Sequence, residues 1–454
     1  MKKLFYIIFF FLPVVVSAQF NLYKDSPLDY AWKNVGNAGF SAGAAYNTSL
    51  AFSPTGQPYV AYFDLVNEGA TVMKFDGSNW VNVGNAGFSV LGGDPTSLAF
   101  SPSGQPYVAL TSYMAEVMKF DGTNWVDVGI AGFADTVSYM SLAFSPSGQP
   151  YVAFSVYWNS SKATVMKFDG TNWINVGNAG FSADQAWYTS LAFSPSDGQP
   201  YVAYQDWANS EKATAMKFNG TNWVSVGNTG FSAGWTGYTS LAFSQSGQPY
   251  VAYEDGGNSN KATVMKFDGT NWVNVGDAGF SVGMAWYTSL AFSPSGQPYV
   301  AYMDSANSHK ATVMKFDGSS WVNVGSAGFS AGAAGNSSLA FSPSGQPNVA
   351  YSDGANSEKA TVMKYDSVYV GINEQQEKKL LLYPNPATDE ISVDISEKAY
   401  GSNLAIINIE GQQLITRQIT EPKTQIDIST LPSGVYIVRL TGERTVTVGK
   451  IIKQ

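Results

Sequence analysis

The chain has 454 residues, a formal net charge of −9 and only 13% charged residues, against 14% aromatics and 45 glycines. An acidic, charge-poor surface offers nucleic acid no basic stripe and anionic lipid no attraction. There is no cysteine, which excludes disulfides and thiolate metal sites and leaves stability to an apolar core.

Residues 1–18 read as an export signal. Lys2 and Lys3 supply the positive start, residues 4–16 are apolar, and Val16, Ser17 and Ala18 form a small-residue cleavage site. The apolar run is shorter than the roughly 20 residues that cross a bilayer, so no transmembrane segment is expected.

Beyond it the chain repeats itself. A phrase close to SLAFSPSGQPYVA starts at Ser49, Ser97, Ser141, Ser190, Ser240, Ser289 and Ser338. A second phrase, close to KFDGTNW and then V-x-V-G, carries Trp80, Trp125, Trp173, Trp223, Trp272 and Trp321, spaced by 45 to 50 residues. That spacing is the length of a propeller blade. The unit from Ser240 holds four strand-like runs: SLAFS, PYVAYE, KATVMKF and NWVNVG. S-x-S-G-Q-P and Asp-Gly turns separate the first two and the last two. Four antiparallel strands repeated radially predict an all-β propeller, which leaves no long sheet edge open.

The ends of the array predict seven blades. A lone Trp strand over 32–36 comes first, and the last unit stops after its third strand, near Tyr365. Pairing the two completes a seventh blade from both ends of residues 19–366. The recurring Trp and Gly-Phe-Ser are read as packing between blades.

The S-x-S-G-Q-P and Asp-Gly turns share one face and hardly vary. The other face carries variable loops, where recognition usually lives. Five tryptophans outside the blade position fall there: Trp158, Trp187, Trp207, Trp235 and Trp286. Flat rings beside hydrogen-bonding groups suit sugars, and Asp206, Asp255 and Asp304 stand in the neighbouring loops, each followed by an asparagine three residues on. These eight residues are the expected ligand-binding set. Two other readings stay open: the tryptophans fold down and seal the ring, and the Asp/Asn pairs are ordinary turn chemistry. The D-x-x-N spacing is not that of a calcium loop, and no metal or cofactor is expected.

Residues 1–366 contain no arginine and one histidine, His309, which rules out a bidentate anion clamp and a multi-histidine metal site. No catalytic residue is assigned and no enzyme is expected. The leading function is non-catalytic binding of a glycan. The alternative is a structural or adhesive protein-binding propeller, followed by a carboxylate glycoside hydrolase or lyase.

Residues 367–379 read as a polar linker. From 380 to 454 the repeat is gone, and short alternating strands at 391–395, 404–409, 413–418, 425–428, 435–440 and 445–452 predict a small antiparallel β-sandwich. Here Tyr383-Pro-Asn-Pro-Ala387, the segment IINIEGQ at 406–412, LPSGVY at 431–436 and the terminal GKIIK at 449–453 resemble the type IX secretion C-terminal sorting domain of Bacteroidetes. The resemblance implies a secreted or outer-membrane-surface protein, handled by the type IX machinery after Sec export.

Overall fold

The computed structural model describes residues 28–89, 94–111, 114–156, 160–369, 380–394, 401–441 and 446–454. The expected export signal, Trp158 and most of the expected linker lie outside these. The chain divides into two compact units, one of Leu28–Val368 and the other holding Tyr369–Gln454.

The first unit is a propeller of seven antiparallel sheets. Blade 5 stands for the rest, with strands Thr236–Phe243, Pro249–Asp255, Lys261–Phe267 and Trp272–Asn274 paired in that order. First strands of successive blades pack against one another and so surround the axis. Blade 2 has a fifth, two-residue strand, Ala134–Asp135. In blade 7 the strand Leu28–Asn34 lies beside Lys359–Tyr369, which in turn pairs with Pro347–Asp353. The circle therefore closes with one strand from the front of the unit, as the complementary ends of the array predict.

The blade tryptophans are what join neighbours. Trp272 donates its indole N–H to the Val226 carbonyl of the preceding blade at 2.7 Å and stacks on Phe231 at 4.1 Å. Trp32 does the same across the closure, donating to Val324 at 2.6 Å and stacking on Phe329 at 4.0 Å. Each buried indole is thus satisfied, as a buried N–H must be. The phenylalanine comes from the recurring Gly-Phe-Ser, whose serine accepts the next backbone bond, Ala262 N–H to Ser281 Oγ at 2.9 Å. Gly276, in the V-x-V-G phrase, has φ +71°, and a Cβ there would stand 2.9 Å from the Phe316 ring. Apolar clusters form between blades: Tyr250, Ala252 and Val264 of blade 5 pack with Leu290, Val300 and Trp321 of blade 6.

The scaffold turns are self-contained. Asp268 Oδ1 accepts from the N–H groups of Thr270 and Asn271, and those bonds hold its carboxyl below the usual carboxylate range.

The second unit has two sheets. One joins Leu381–Tyr383, Glu390–Asp394 and Lys423–Asp427; the other joins Gln413–Gln418, Asn403–Ile407, Gly434–Thr441 and Val446–Lys453. Ile391, Val393, Leu404, Ile406, Ile426, Val438 and Ile451 form the core between them. The motifs are its fastenings. Asn385 donates to the Lys450 carbonyl at 2.8 Å and accepts from Ile452 N–H at 2.9 Å, which binds the Tyr-Pro-Asn-Pro segment to the last strand. Tyr436 donates its hydroxyl to the Pro432 carbonyl at 2.7 Å, closing the LPSGVY turn.

Candidate functional site

The site grows from a defect repeated in the first strands. In blade 4, Trp187 pairs with Gln205 and Ser190 with Ala203, so two residues of one strand oppose one of the other. Such a bulge re-aims side chains, and its first residue here adopts a left-handed backbone. In blades 1 and 7 that residue is Asn47 (φ 53°) and Asn336 (φ 52°), a type that tolerates the conformation. In blades 3 to 6 it is Tyr139, Tyr188, Tyr238 and Tyr287, with φ between 51° and 56°. A bulky side chain in this region is strained, and strain of this kind collects at functional sites.

The four tyrosines form an arc around the axis. Ring centroids are 4.7 Å apart for Tyr139 and Tyr188, 5.0 Å for Tyr188 and Tyr238, and 4.7 Å for Tyr238 and Tyr287. Burial, with the neighbouring tyrosines and Glu254, pushes the Tyr188 hydroxyl up to about 12, so it stays neutral and able to donate. Each following threonine donates to the preceding blade's bulge carbonyl, as Thr288 does to Tyr238 at 2.5 Å. Together these residues line an axial cup of about 320 Å³, and none of its described lining residues is charged.

Beside the cup, between blades 4 and 5, lies a second niche of about 280 Å³, lined by Trp187, Tyr188, Gln205, Glu211 and Trp235. Trp187 leans on Trp207, with centroids 4.8 Å apart at 55°. Trp235 is 39% exposed and rests on Gly256, where any Cβ would meet its indole nitrogen at 2.2 Å. Trp286 stacks on His309 one blade further, at 5.1 Å and 6°. The structure thus brings Trp187, Trp207 and Trp235 together and sets Trp286 next to them. Trp187 and Trp286 are strand residues, in Ala186–Phe193 and Ala285–Phe292, and not loop residues as their sequence context suggested.

The three aspartates need correction. Asp206, Asp255 and Asp304 are each only 1% exposed. Asp255 Oδ1 accepts from Gly257 N–H at 3.0 Å, and Oδ2 accepts from Asn258 Nδ2 and Thr263 Oγ1, each at 2.8 Å. Asp206 and Asp304 repeat the pattern. Their carboxylates are consumed in capping the short turns Trp207–Asn209, Gly256–Asn258 and Ser305–Asn307, so they are not presented to a ligand. No three His, Cys, Asp or Glu side chains converge as a metal site among the described residues.

Polar residues that the sequence reading passed over sit under the rings. Gln205 and Glu254 occupy the same position of the second strand in blades 4 and 5, each 3% exposed. Burial pushes the Glu254 carboxyl up to about 7, against hydrogen bonds from Trp286 and Asn260 that pull it down. Gln205 Oε1, Trp207 Nε1 and Glu254 Oε1 are buried without a partner, and the fourth such side-chain atom among the described residues, Arg439 Nε, belongs to the second unit. An unpartnered buried polar atom costs about 1–3 kcal/mol, and three gather at this arc. A clue lay in the repeat alignment, where this position reads Phe63, Thr111, Ser155, Gln205, Glu254, Met303 and Ser352.

Comparison with known proteins identifies the second unit. Residues 381–454 match the family described as the Secretion system C-terminal sorting domain. This part of the chain is a type IX sorting domain, and it directs the protein to the cell surface or the medium. No curated protein matches the chain. Among solved structures, an ulvan lyase bound to -[GlcA(1-4)Rha3S]- aligns with TM-score 0.51 and 15% identity over 73% of this chain and 95% of that one. The same lyase described without that ligand gives TM-score 0.50 at 16% identity, over 73% and 95%. A lectin of Aleuria aurantia in complex with Fucalpha1-6GlcNAc aligns with TM-score 0.43 and 17% identity, over 64% and 97%. At these identities the lyase likeness speaks for the propeller fold alone.

Proposed function

We propose that the protein is an exported, non-catalytic glycan-binding propeller whose ligand lies on the arc of blades 3 to 6. The observation that carries this reading is the strained tyrosine arc beside Trp187 and Trp235, with three unpartnered polar atoms buried beneath. Aromatic faces take the apolar side of a sugar ring, and buried donors and acceptors await hydroxyls. Tyr139, Tyr188, Tyr238 and Tyr287 add hydroxyls at the cup wall.

The test is a glycan-array screen of the chain without its export signal, beside Trp187→Ala/Trp235→Ala. Stacking on each ring is worth about 1–3 kcal/mol, a figure borrowed from nucleobases, so the double variant is expected to lose at least tenfold in affinity while melting normally. No binding to any glycan by the unaltered protein overturns the reading and favours protein adhesion.

A further inference from the structure

We propose that the sugar bound on this arc carries a protonated amine, so that the ligand is an amino sugar; the inference rests on the glycan reading above. The lining comes first. Among the described residues, no charged side chain lines the cup, and the only charge lining the niche is Glu211. A uronate or sulfate there meets no cation, whereas a cation meets aromatic faces and a carboxylate.

Glu254 is the second observation. It pairs across the sheet with Gly237, in the strand position where the neighbouring blades carry Trp187 and Trp286. A Cβ at Gly237 would stand 2.9 Å from Glu254 Oε2 and 3.6 Å from the Trp235 ring. The glycine therefore leaves a gap with an indole on one side and a buried carboxyl on the other. The groups bonded to that carboxyl, Trp286 and Asn260, are neutral, and its Oε1 has no partner. An ammonium resting on Trp235 at this gap gains the ring's quadrupole and the carboxylate's charge together. Its charge also opposes the burial that holds the carboxyl near 7.

The experiment compares a glucosamine tetramer with the N-acetylglucosamine tetramer, by calorimetry at about pH 7, where an amine of the α-amino range is largely charged and about half of the Glu254 carboxyl is ionised. The unaltered protein is expected to bind the amine form about tenfold more tightly, with the preference shrinking as salt is added. Glu254→Gln is expected to abolish the preference for the amine form over the acetylated one. Blade 4 already carries Gln205 at this position, so the fold accommodates the change. Equal binding of both tetramers by the unaltered protein, or a preference that survives in Glu254→Gln, overturns the amine inference and leaves the glycan reading standing. Binding of neither tetramer, nor of any array glycan, overturns both.

Discussion

Blades 1 and 7 and blades 3 to 6 share one backbone and differ in what they place on it. At the bulge the first pair carries asparagine, which sits in a left-handed conformation at little cost, and the other four carry tyrosine. One strand over, Phe63 and Ser352 give way to Gln205 and Glu254 in blades 4 and 5. The indole bonds and the phenylalanine stacking that join blade to blade are common to both groups, and within the blades the turn-capping aspartate recurs in blades 1, 4, 5, 6 and 7. A repeat protein thus separates its two tasks by position. What recurs holds the ring, and what breaks the recurrence marks the ligand.

The hardest test of that division strikes a shared part. Asp255→Ala strips the partner from Gly257 N–H, Asn258 and Thr263, and is expected to cost about 2–4 kcal/mol in denaturant melts. If stability were unchanged and sugar binding alone vanished, the carboxylate would belong to the site after all. Next comes Glu254. A buried carboxyl held near 7 binds its proton more tightly folded than unfolded, so its stabilising contribution is complete below the ordinary glutamate range and lost as pH rises through about 7. Glu254→Gln is therefore expected to be the more stable protein at pH 8, on the order of 2–3 kcal/mol, with the gap closing toward pH 4. Some pH dependence persists in the variant. Glu116 is likewise pushed up to about 7 by burial, then by its hydrogen bond to Asp127 and that group's charge. The smallest effect sharpens the comparison most. Tyr238→Asn installs the residue of blades 1 and 7, and relief of strain should stabilise the ring by about 1 kcal/mol while glycan affinity falls. A loss of stability instead would make the tyrosine arc part of the scaffold.

Most of the fold was legible because the repeat displays each strand seven times, and because the displaced Trp32 strand has one place to go. The sandwich was legible from alternation and four ordered motifs. The site was legible only in part. Asp255 reads as an exposed loop carboxylate, yet Thr263, eight residues on, draws it inward, and that bond depends on how two strands meet. Trp187 reads as a loop residue because the bulge after it interrupts the alternation that marks a strand. The tyrosine strain has no sequence signature, since Tyr in blades 3 to 6 replaces the Asn of blades 1 and 7 without changing any local pattern. Gln205 and Glu254 lie in a strand read as core, and only side-by-side blades reveal them as departures.

The closure of blade 7 also means that the ring cannot be sealed before its last repeat is made. Lys33 Nζ meets the Ser367 carbonyl at 2.6 Å across 334 residues of chain, one of the longest sequence separations in the propeller. A growing chain can therefore stack six blades while its first strand waits and the edge of blade 7 is not yet made. Joining ends so far apart adds little entropic cost over joining nearer ones, because that cost grows only with the logarithm of length. What it adds is timing: the circle is sealed only once the last repeat is complete, immediately before the sorting domain in the sequence, so a chain cut short remains an open ring with unpaired strand edges.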